Sequence, residues 1–119
     1  MSESIIADKS FDFAIRIVKL HKFLCHKKEF ILSKQLLRSG TSIGANVHEA
    51  VSAQSTNDFV AKLSISLKEA RETLYWLKLL TATDYLSETE SKSIIQECNE
   101  LIAILTSIIK TTKRNNNDK

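Results

Sequence analysis

The chain has four stretches in which apolar residues recur every three or four positions, separated by short polar segments. This spacing places apolar side chains on one face of an α-helix, so each stretch predicts an amphipathic helix. Helices joined by short connections run antiparallel to their neighbours. We therefore predict an all-α fold, an antiparallel up-down-up-down four-helix bundle over residues 1–112, with helices at about residues 8–25, 31–53, 56–82 and 88–112. Residues 1–7 are expected to fray, and residues 113–119 are expected to form a disordered tail.

The apolar rows differ in width. The third helix has the most regular row, a heptad seam of Val60, Leu63, Leu67, Ala70, Leu74 and Leu77. The fourth has a seam of Ile94, Cys98, Leu101, Leu105 and Ile108. The first helix carries two rows side by side, Phe11, Ala14, Val18, His21 and Cys25 beside Phe13, Ile17, Leu20 and Leu24. Ile15, Phe23, Ile65 and Trp76 lie outside the main seams. This apolar surplus predicts self-association, with the excess buried between subunits.

The second helix contains the only two glycines of the chain, Gly40 and Gly44. Each glycine costs a helix interior roughly 1 kcal/mol relative to alanine. Both lie on or beside the predicted inward stripe of Leu32, Leu36, Gly40, Ile43, Val47 and Ala50. The absence of side chains there predicts that a neighbouring helix packs unusually close.

A polar row runs along the same helix, because Arg38, Ser42, Asn46 and Glu49 are spaced by four, four and three residues. Together with Ser39, these side chains predict a structural polar network within or between subunits. The same row could instead display Arg38 and Asn46 to a phosphate backbone. We favour the structural role, because buried polar groups need partners and Glu49 would repel nucleic acid.

Composition narrows the class of protein. Proline is absent and only two glycines occur in 119 residues, which favours an all-α chain. Two cysteines without CxxC spacing indicate two buried free thiols in a reducing cytoplasm rather than a disulfide framework. We find no apolar run long enough for a signal peptide or a membrane span, and expect a cytoplasmic protein without membrane contact.

Positive charge is concentrated in one part of the chain, although the net charge is only +3. Between residues 16 and 38, seven basic side chains stand against the single acid Glu29. Such a local excess attracts polyanions, but it is equally typical of a solvated helix face. The candidate nucleic-acid-binding residues are Arg16, Lys19, Lys22, Lys27, Lys28, Lys34 and Arg38.

Catalytic and metal-binding signals are poor. The chain has no GxSxG, P-loop, HExxH or GxGxxG motif. Arg16 and His21 match an R-x4-H spacing that resembles the active motif of some small helical ribonucleases, but His21 lies on the apolar arc, away from the basic face. His21 and Cys25 have the i, i+4 spacing of a half zinc site, which His48 and Cys98 would have to complete. We expect core side chains instead, and predict a non-enzymatic protein with no metal or cofactor.

The stretch from residue 33 to residue 50, Ser-Lys-Gln-Leu-Leu-Arg-Ser-Gly-Thr-Ser-Ile-Gly-Ala-Asn-Val-His-Glu-Ala, carries a family resemblance. It continues in Phe59, Lys62, Leu63, Ser66, Leu67, Lys68, Glu69, Ala70, Glu72, Thr73, Trp76 and Leu77. Over about residues 8–110 the chain closely resembles the bacterial four-helix-bundle proteins encoded in intervening sequences of 23S ribosomal RNA genes.

This resemblance implies a compact bundle that assembles into a ring-like homopentamer without enzymatic activity. A related branch, the accessory variability proteins of diversity-generating retroelements, forms basic pentameric barrels that bind nucleic acid and a reverse transcriptase. The resemblance therefore implies ribosomal or retroelement RNA or DNA, or a reverse transcriptase, as partners. His48 stands where many members of the family carry Arg, which makes this chain less basic at that position. The alternative function is a protein-interaction ring that scaffolds another protein without binding nucleic acid.

Overall fold

Four α-helices account for nearly all of the computed structural model, which describes residues 2–117, with side chains from residue 5 onward. The helices are α1 (Ser2–His26), α2 (Leu32–Val51), α3 (Thr56–Ala82) and α4 (Glu88–Asn117). They pack in the order α1–α2–α3–α4, and α4 closes weakly onto α1. The molecule measures 52 × 21 × 21 Å, so the helices run along its length. The all-α, four-helix fold agrees with the prediction.

The structure differs from the predicted boundaries at both ends of the chain. α1 begins at Ser2, before the predicted start at residue 8, and the buried Ile6 extends its inner face in that direction. α4 continues through Asn117, beyond the predicted end at residue 112, since no proline or glycine interrupts it. The expected tail is therefore helical as far as residue 117, and its last two residues lie outside the described part, as does Met1.

The start of each later helix is satisfied by a side chain. The Ser55 hydroxyl accepts from the Asp58 N–H at 3.0 Å. Ser87 and Glu90 form a reciprocal capping box, with N–H to side-chain distances of 2.8 and 3.0 Å. The hydrogen bond that the Ser87 N–H donates to the Glu90 carboxylate is the main cause that lowers the pKa of Glu90. The buried Glu29 carboxylate caps α2, accepting from the Ser33 N–H at 2.6 Å.

The core row of α3 is rotated from the predicted seam. Its buried residues are Leu63, Ser66, Ala70, Thr73, Leu77 and Leu80, whereas Val60, Leu67 and Leu74 are only half-buried. Ser66 and Thr73 can be buried because their hydroxyls find partners on α2. Ser66 donates to the Ile43 carbonyl at 2.8 Å, and Thr73 donates to the Ser39 hydroxyl at 2.9 Å.

The two glycines lie against α1. A Cβ atom at Gly40 would stand 2.8 Å from side-chain carbons of Ile17. A Cβ at Gly44 would stand 3.2 Å from the backbone oxygen of Ser10. Both contacts are shorter than ordinary packing, so the close approach predicted from the glycines is present between α1 and α2. No helix within residues 2–117 is long and apolar enough to cross a membrane.

We expect Gly44→Leu to lower the free energy of unfolding by about 2–3 kcal/mol, because overpacking here pushes against backbone rather than a flexible side chain. The measurement is urea unfolding followed by circular dichroism. Ala45→Leu is the matched control, since Ala45 is the next residue and exposed. Equal stability of the two variants would contradict the packing account of Gly44.

Candidate functional site

The seven candidate cations fall into two groups. Arg16 donates to the Ser93 hydroxyl at 3.1 Å and pairs with Glu97, so it bridges α1 to α4. Arg38 pairs with Glu69 at 3.3 Å and with Glu72, so it bridges α2 to α3. Both guanidinium groups are thus paired with carboxylates, and both side chains remain partly exposed, Arg16 at 38% and Arg38 at 48%.

The five lysines form the second group, and we call them the lysine end: Lys19, Lys22, Lys27, Lys28 and Lys34. They lie along the second half of α1, the α1–α2 connection and the first turn of α2. All five are exposed, and none forms an ion pair with a described residue. The connection is held by Lys28, whose φ of 65° is left-handed and whose N–H bonds the Cys25 carbonyl at 2.9 Å.

Large apolar side chains are exposed among these lysines. Phe30 is 59% exposed and Ile31 is 77% exposed, immediately before α2. The Lys27 ammonium lies 4.8 Å from the centroid of the Phe23 ring and donates to the Tyr85 carbonyl at 3.0 Å. The α3–α4 connection is therefore at the same end, and it contributes acidic side chains beside this surface. Sequence reasoning missed Phe30 and Ile31 as surface residues; their signal is that they belong to no helical apolar row.

The predicted polar row of α2 makes no continuous chain of side chains. Ser42 donates to the Arg38 backbone carbonyl at 2.6 Å, and Asn46 donates to the Ser42 carbonyl at 2.9 Å. Ser39 faces Thr73 of α3, while Glu49 lies 3.3 Å from Lys62. The row therefore satisfies its own helix and connects it to α3, rather than linking its members to one another.

Arg38 connects α2 to two carboxylates of α3, those of Glu69 and Glu72. The Glu72 carboxylate accepts a hydrogen bond from the Arg38 guanidinium. It also accepts one from the Trp76 indole N–H, at 3.0 Å. The Trp76 hydrogen bond first, and then Arg38, hold the pKa of Glu72 below its ordinary value. The hydrogen bond to Glu72 in turn raises the pKa of Arg38. This geometry favours the structural role of Arg38 over phosphate binding.

Arg16 and His21 do not converge on one site. Arg16 turns toward α4, whereas the His21 Nδ1 lies 3.2 Å from the Ser33 carbonyl of α2. His21 Nε2 lies 3.5 Å from the Cys25 sulfur.

The two cysteines differ in burial. Cys98 is fully buried, and burial raises the pKa of its thiol to about 12. Cys25 is only partly buried, contrary to the expectation of two buried thiols.

Metal-ligating side chains are dispersed. The described part of the chain contains no cluster of three His, Cys, Asp or Glu side chains that could hold a metal ion. His48, one of the residues needed to complete the hypothetical zinc site, bonds the Gly44 carbonyl at 2.8 Å and packs beside the Phe11 ring. Cys98 donates to the Ala70 carbonyl at 3.3 Å. The four residues thus face different neighbours.

These features define a four-helix-bundle protein with a polar α2–α3 contact and an exposed lysine end. A family model described as 23S rRNA-intervening sequence protein matches residues 2–107, and the chain belongs to this family. A crystal structure of a protein of unknown function from the S23 ribosomal protein family of Bacteroides thetaiotaomicron is similar, with a TM-score of 0.90 and 54% sequence identity. The match covers 92% of this chain and 99% of that one. Comparison with curated proteins finds no match.

We expect Glu72→Gln to reduce the loss of stability in acid. Because the pKa of Glu72 is lowered from an ordinary value of 4.5, its stabilisation is present above that pH and is lost as pH falls through the lowered pKa. Melting temperatures from pH 7 to pH 3 measure the effect. Glu100→Gln is the control, as Glu100 is exposed and contacts no charged partner among the described residues. Identical acid profiles for wild type and Glu72→Gln would exclude this role.

Proposed function

We propose that the protein is a non-enzymatic homo-oligomer that binds RNA or DNA through the lysine end. The observation that carries this proposal is the set of five exposed lysines, none of which forms an ion pair with a described residue. Lysines that neutralise the phosphates of a nucleic acid release its condensed counterions, and this release favours binding. Arg16 and Arg38 belong to the same basic stretch of sequence, but each already pairs with acidic side chains, so the proposed interface is centred on the five lysines.

The exposed Phe30 and Ile31 extend this surface beyond simple charge attraction. Unpaired bases stack on aromatic rings that lie beside a basic surface, and each stacked base contributes about 1–3 kcal/mol. Phe30 is well placed for this role, since it is largely exposed and lies two residues from Lys28. The family description refers to 23S ribosomal RNA genes, so structured ribosomal RNA is the first ligand to test, followed by retroelement RNA.

Self-association is the second part of the proposal. Phe11, Ile15 and Val18 are spaced by four and three residues, so they form one exposed apolar face, which we call the outer α1 face. The Phe11 ring lies 6.4 Å from that of His48, which joins this face to α2. Burying an apolar surface of this kind against another copy of the chain is favourable in free energy.

A different apolar surface supports a ring rather than a two-fold dimer. Ile5 of α1 and Ala103, Ile104 and Ile108 of α4 line an open groove. Ile5 lies about 120° around α1 from Phe11, at 100° per residue. Two unlike surfaces on different sides of one chain favour a head-to-tail contact, which closes into a ring when the rotation allows. We propose the homopentamer implied by the family resemblance.

The second candidate function is a protein-interaction ring that scaffolds another protein, such as a reverse transcriptase, without binding nucleic acid. The exposed Ile65 of α3 favours it, because this apolar side chain belongs to neither of the surfaces assigned to the ring. The two candidates require different surfaces, so variants of the lysine end separate them.

We expect the triple variant Lys27→Gln, Lys28→Gln and Lys34→Gln to weaken binding of structured RNA at least tenfold at low salt. It should also reduce the slope of log affinity against log salt by about two to three, because each lost phosphate contact removes roughly 0.7–0.9 from that slope. Fluorescence anisotropy with a labelled ribosomal RNA stem-loop measures both quantities.

The control for that experiment removes three cations from the other end of the bundle, with Lys110→Gln, Lys113→Gln and Arg114→Gln. The two triple variants lose the same net charge, so only a localised interface distinguishes them. Equal weakening in both would refute the lysine end as the site. Absence of RNA binding by the wild type at low salt would refute nucleic-acid binding and leave the scaffold.

We expect light scattering to give a mass near five times the 13.4 kDa of the chain. Phe11→Lys should weaken each subunit contact by about 2 kcal/mol and shift the mass toward the monomer at micromolar concentration. Tyr75→Lys is the matched control, because Tyr75 is 59% exposed and Phe11 is 58% exposed. A monomeric wild type would overturn the ring, and equal dissociation of both variants would overturn the outer α1 face as the contact.

A further inference from the structure

His21 and Cys25 form an arrangement that nucleic-acid binding and assembly leave unexplained. The Cys25 sulfur lies 3.5 Å from His21 Nε2, and His21 Nδ1 lies 3.2 Å from the Ser33 carbonyl oxygen. A carbonyl only accepts hydrogen bonds, so the neutral ring carries its proton on Nδ1. Nε2 is then the acceptor, and the thiol donates its proton to it.

The Ser33 carbonyl is itself held in place. Ser33 is fully buried, its N–H donates to the Glu29 carboxylate at 2.6 Å, and its hydroxyl donates to the Glu29 carbonyl at 2.6 Å. The ring of His21 is thus oriented by a rigid helix cap rather than by a mobile side chain. A nucleophile, a base within hydrogen-bond reach and a third group that orients the base are the features of an activated thiol.

The position of His21 and Cys25 in α1 determines which charged forms of the two side chains the helix backbone stabilises. Both residues lie near the end of the helix, where the partial negative charge of the backbone favours an imidazolium and disfavours a bare thiolate. An activated thiol here therefore depends on His21 directly. Cys25 is also partly exposed, whereas Cys98 is buried.

We propose that Cys25 is a reactive thiol that exchanges with low-molecular-weight disulfides, with His21 as the acceptor of its proton. In the exchange, the Cys25 proton passes to His21 Nε2, and the sulfur attacks one sulfur of the disulfide. A new S–S bond forms to Cys25 as the original S–S bond breaks. The displaced half leaves as a thiolate and takes the proton from His21, so the products are a mixed disulfide and one small thiol.

Cys98 provides an internal control within the same chain. It is fully buried, donates to the Ala70 carbonyl, and has no histidine beside it. Burial favours its protonated form, which is not a nucleophile. The two thiols therefore differ in both access and proton acceptor, and only Cys25 should react while the protein remains folded.

The test uses the reduced full chain with glutathione disulfide and, for rates, with the chromogenic disulfide 5,5′-dithiobis(2-nitrobenzoic acid). Mass spectrometry with peptide mapping locates the adduct. We expect one adduct, on Cys25, in the folded protein. Its rate should exceed that of the same cysteine in urea-unfolded chain. Modification of Cys98 first, or a folded Cys25 no faster than the unfolded one, overturns the proposal without any variant.

His21→Gln isolates the proton acceptor. It should slow the reaction of folded Cys25 at least about tenfold, because a positioned base typically contributes about 10²- to 10⁴-fold. In urea, wild type and His21→Gln should react at equal rates, because the dyad exists only in the folded chain. His26→Gln is the matched control, since it removes an exposed imidazole one residue from Cys25. Equal rates for folded wild type and folded His21→Gln refute the role of His21.

Discussion

The close approach of α1 to α2 is the constraint on which the rest of the structure depends. Gly40 and Gly44 leave α2 without side chains where it meets Ile17 and the backbone of Ser10. Because both glycines turn toward α1, the opposite flank of the α2 core face meets α3 through Ser39 and Ile43. The helix propensity lost at each glycine, roughly 1 kcal/mol, is offset by contacts that any larger residue would prevent.

Buried polar groups on the α3 side follow from the same arrangement. The short Ser39 side chain accepts a hydrogen bond from the Thr73 hydroxyl, and the Ile43 carbonyl accepts one from the Ser66 hydroxyl. At the edge of this contact Arg38 reaches two carboxylates, so a residue that sequence alone could assign to a phosphate becomes an interhelical bridge. Arg16 does the same between α1 and α4. The five lysines of the lysine end form no such bridge among the described residues, and they lie in the same part of the bundle as the exposed Phe30.

Much of the fold could be predicted because helical periodicity reports directly on which residues face inward. The rows of α2 and α4 were predicted nearly residue by residue. The row of α3 was not, because the leucines Leu67 and Leu74 carry the stronger hydrophobic signal, whereas Ser66 and Thr73 are buried by hydrogen bonds that no periodicity reveals. The candidate site was predicted as a stretch of positive charge, but which cations remain free depends on acids distant in sequence. Glu97 stands 81 residues from Arg16.

The sequence by itself determined the helix count, the antiparallel connectivity and the family, because short-range spacing and local motifs encode all three. Only the tertiary structure decided which charges are compensated and which apolar residues stay exposed. It also decided that the Cys25 sulfur lies within hydrogen-bond reach of His21 Nε2, although the i, i+4 spacing of the two residues was visible in the sequence. The spacing places the two side chains on one helix face, but the tautomer of His21 depends on the Ser33 carbonyl, which α2 brings into position. Contacts between helices set these properties, and a pattern along one helix cannot contain them.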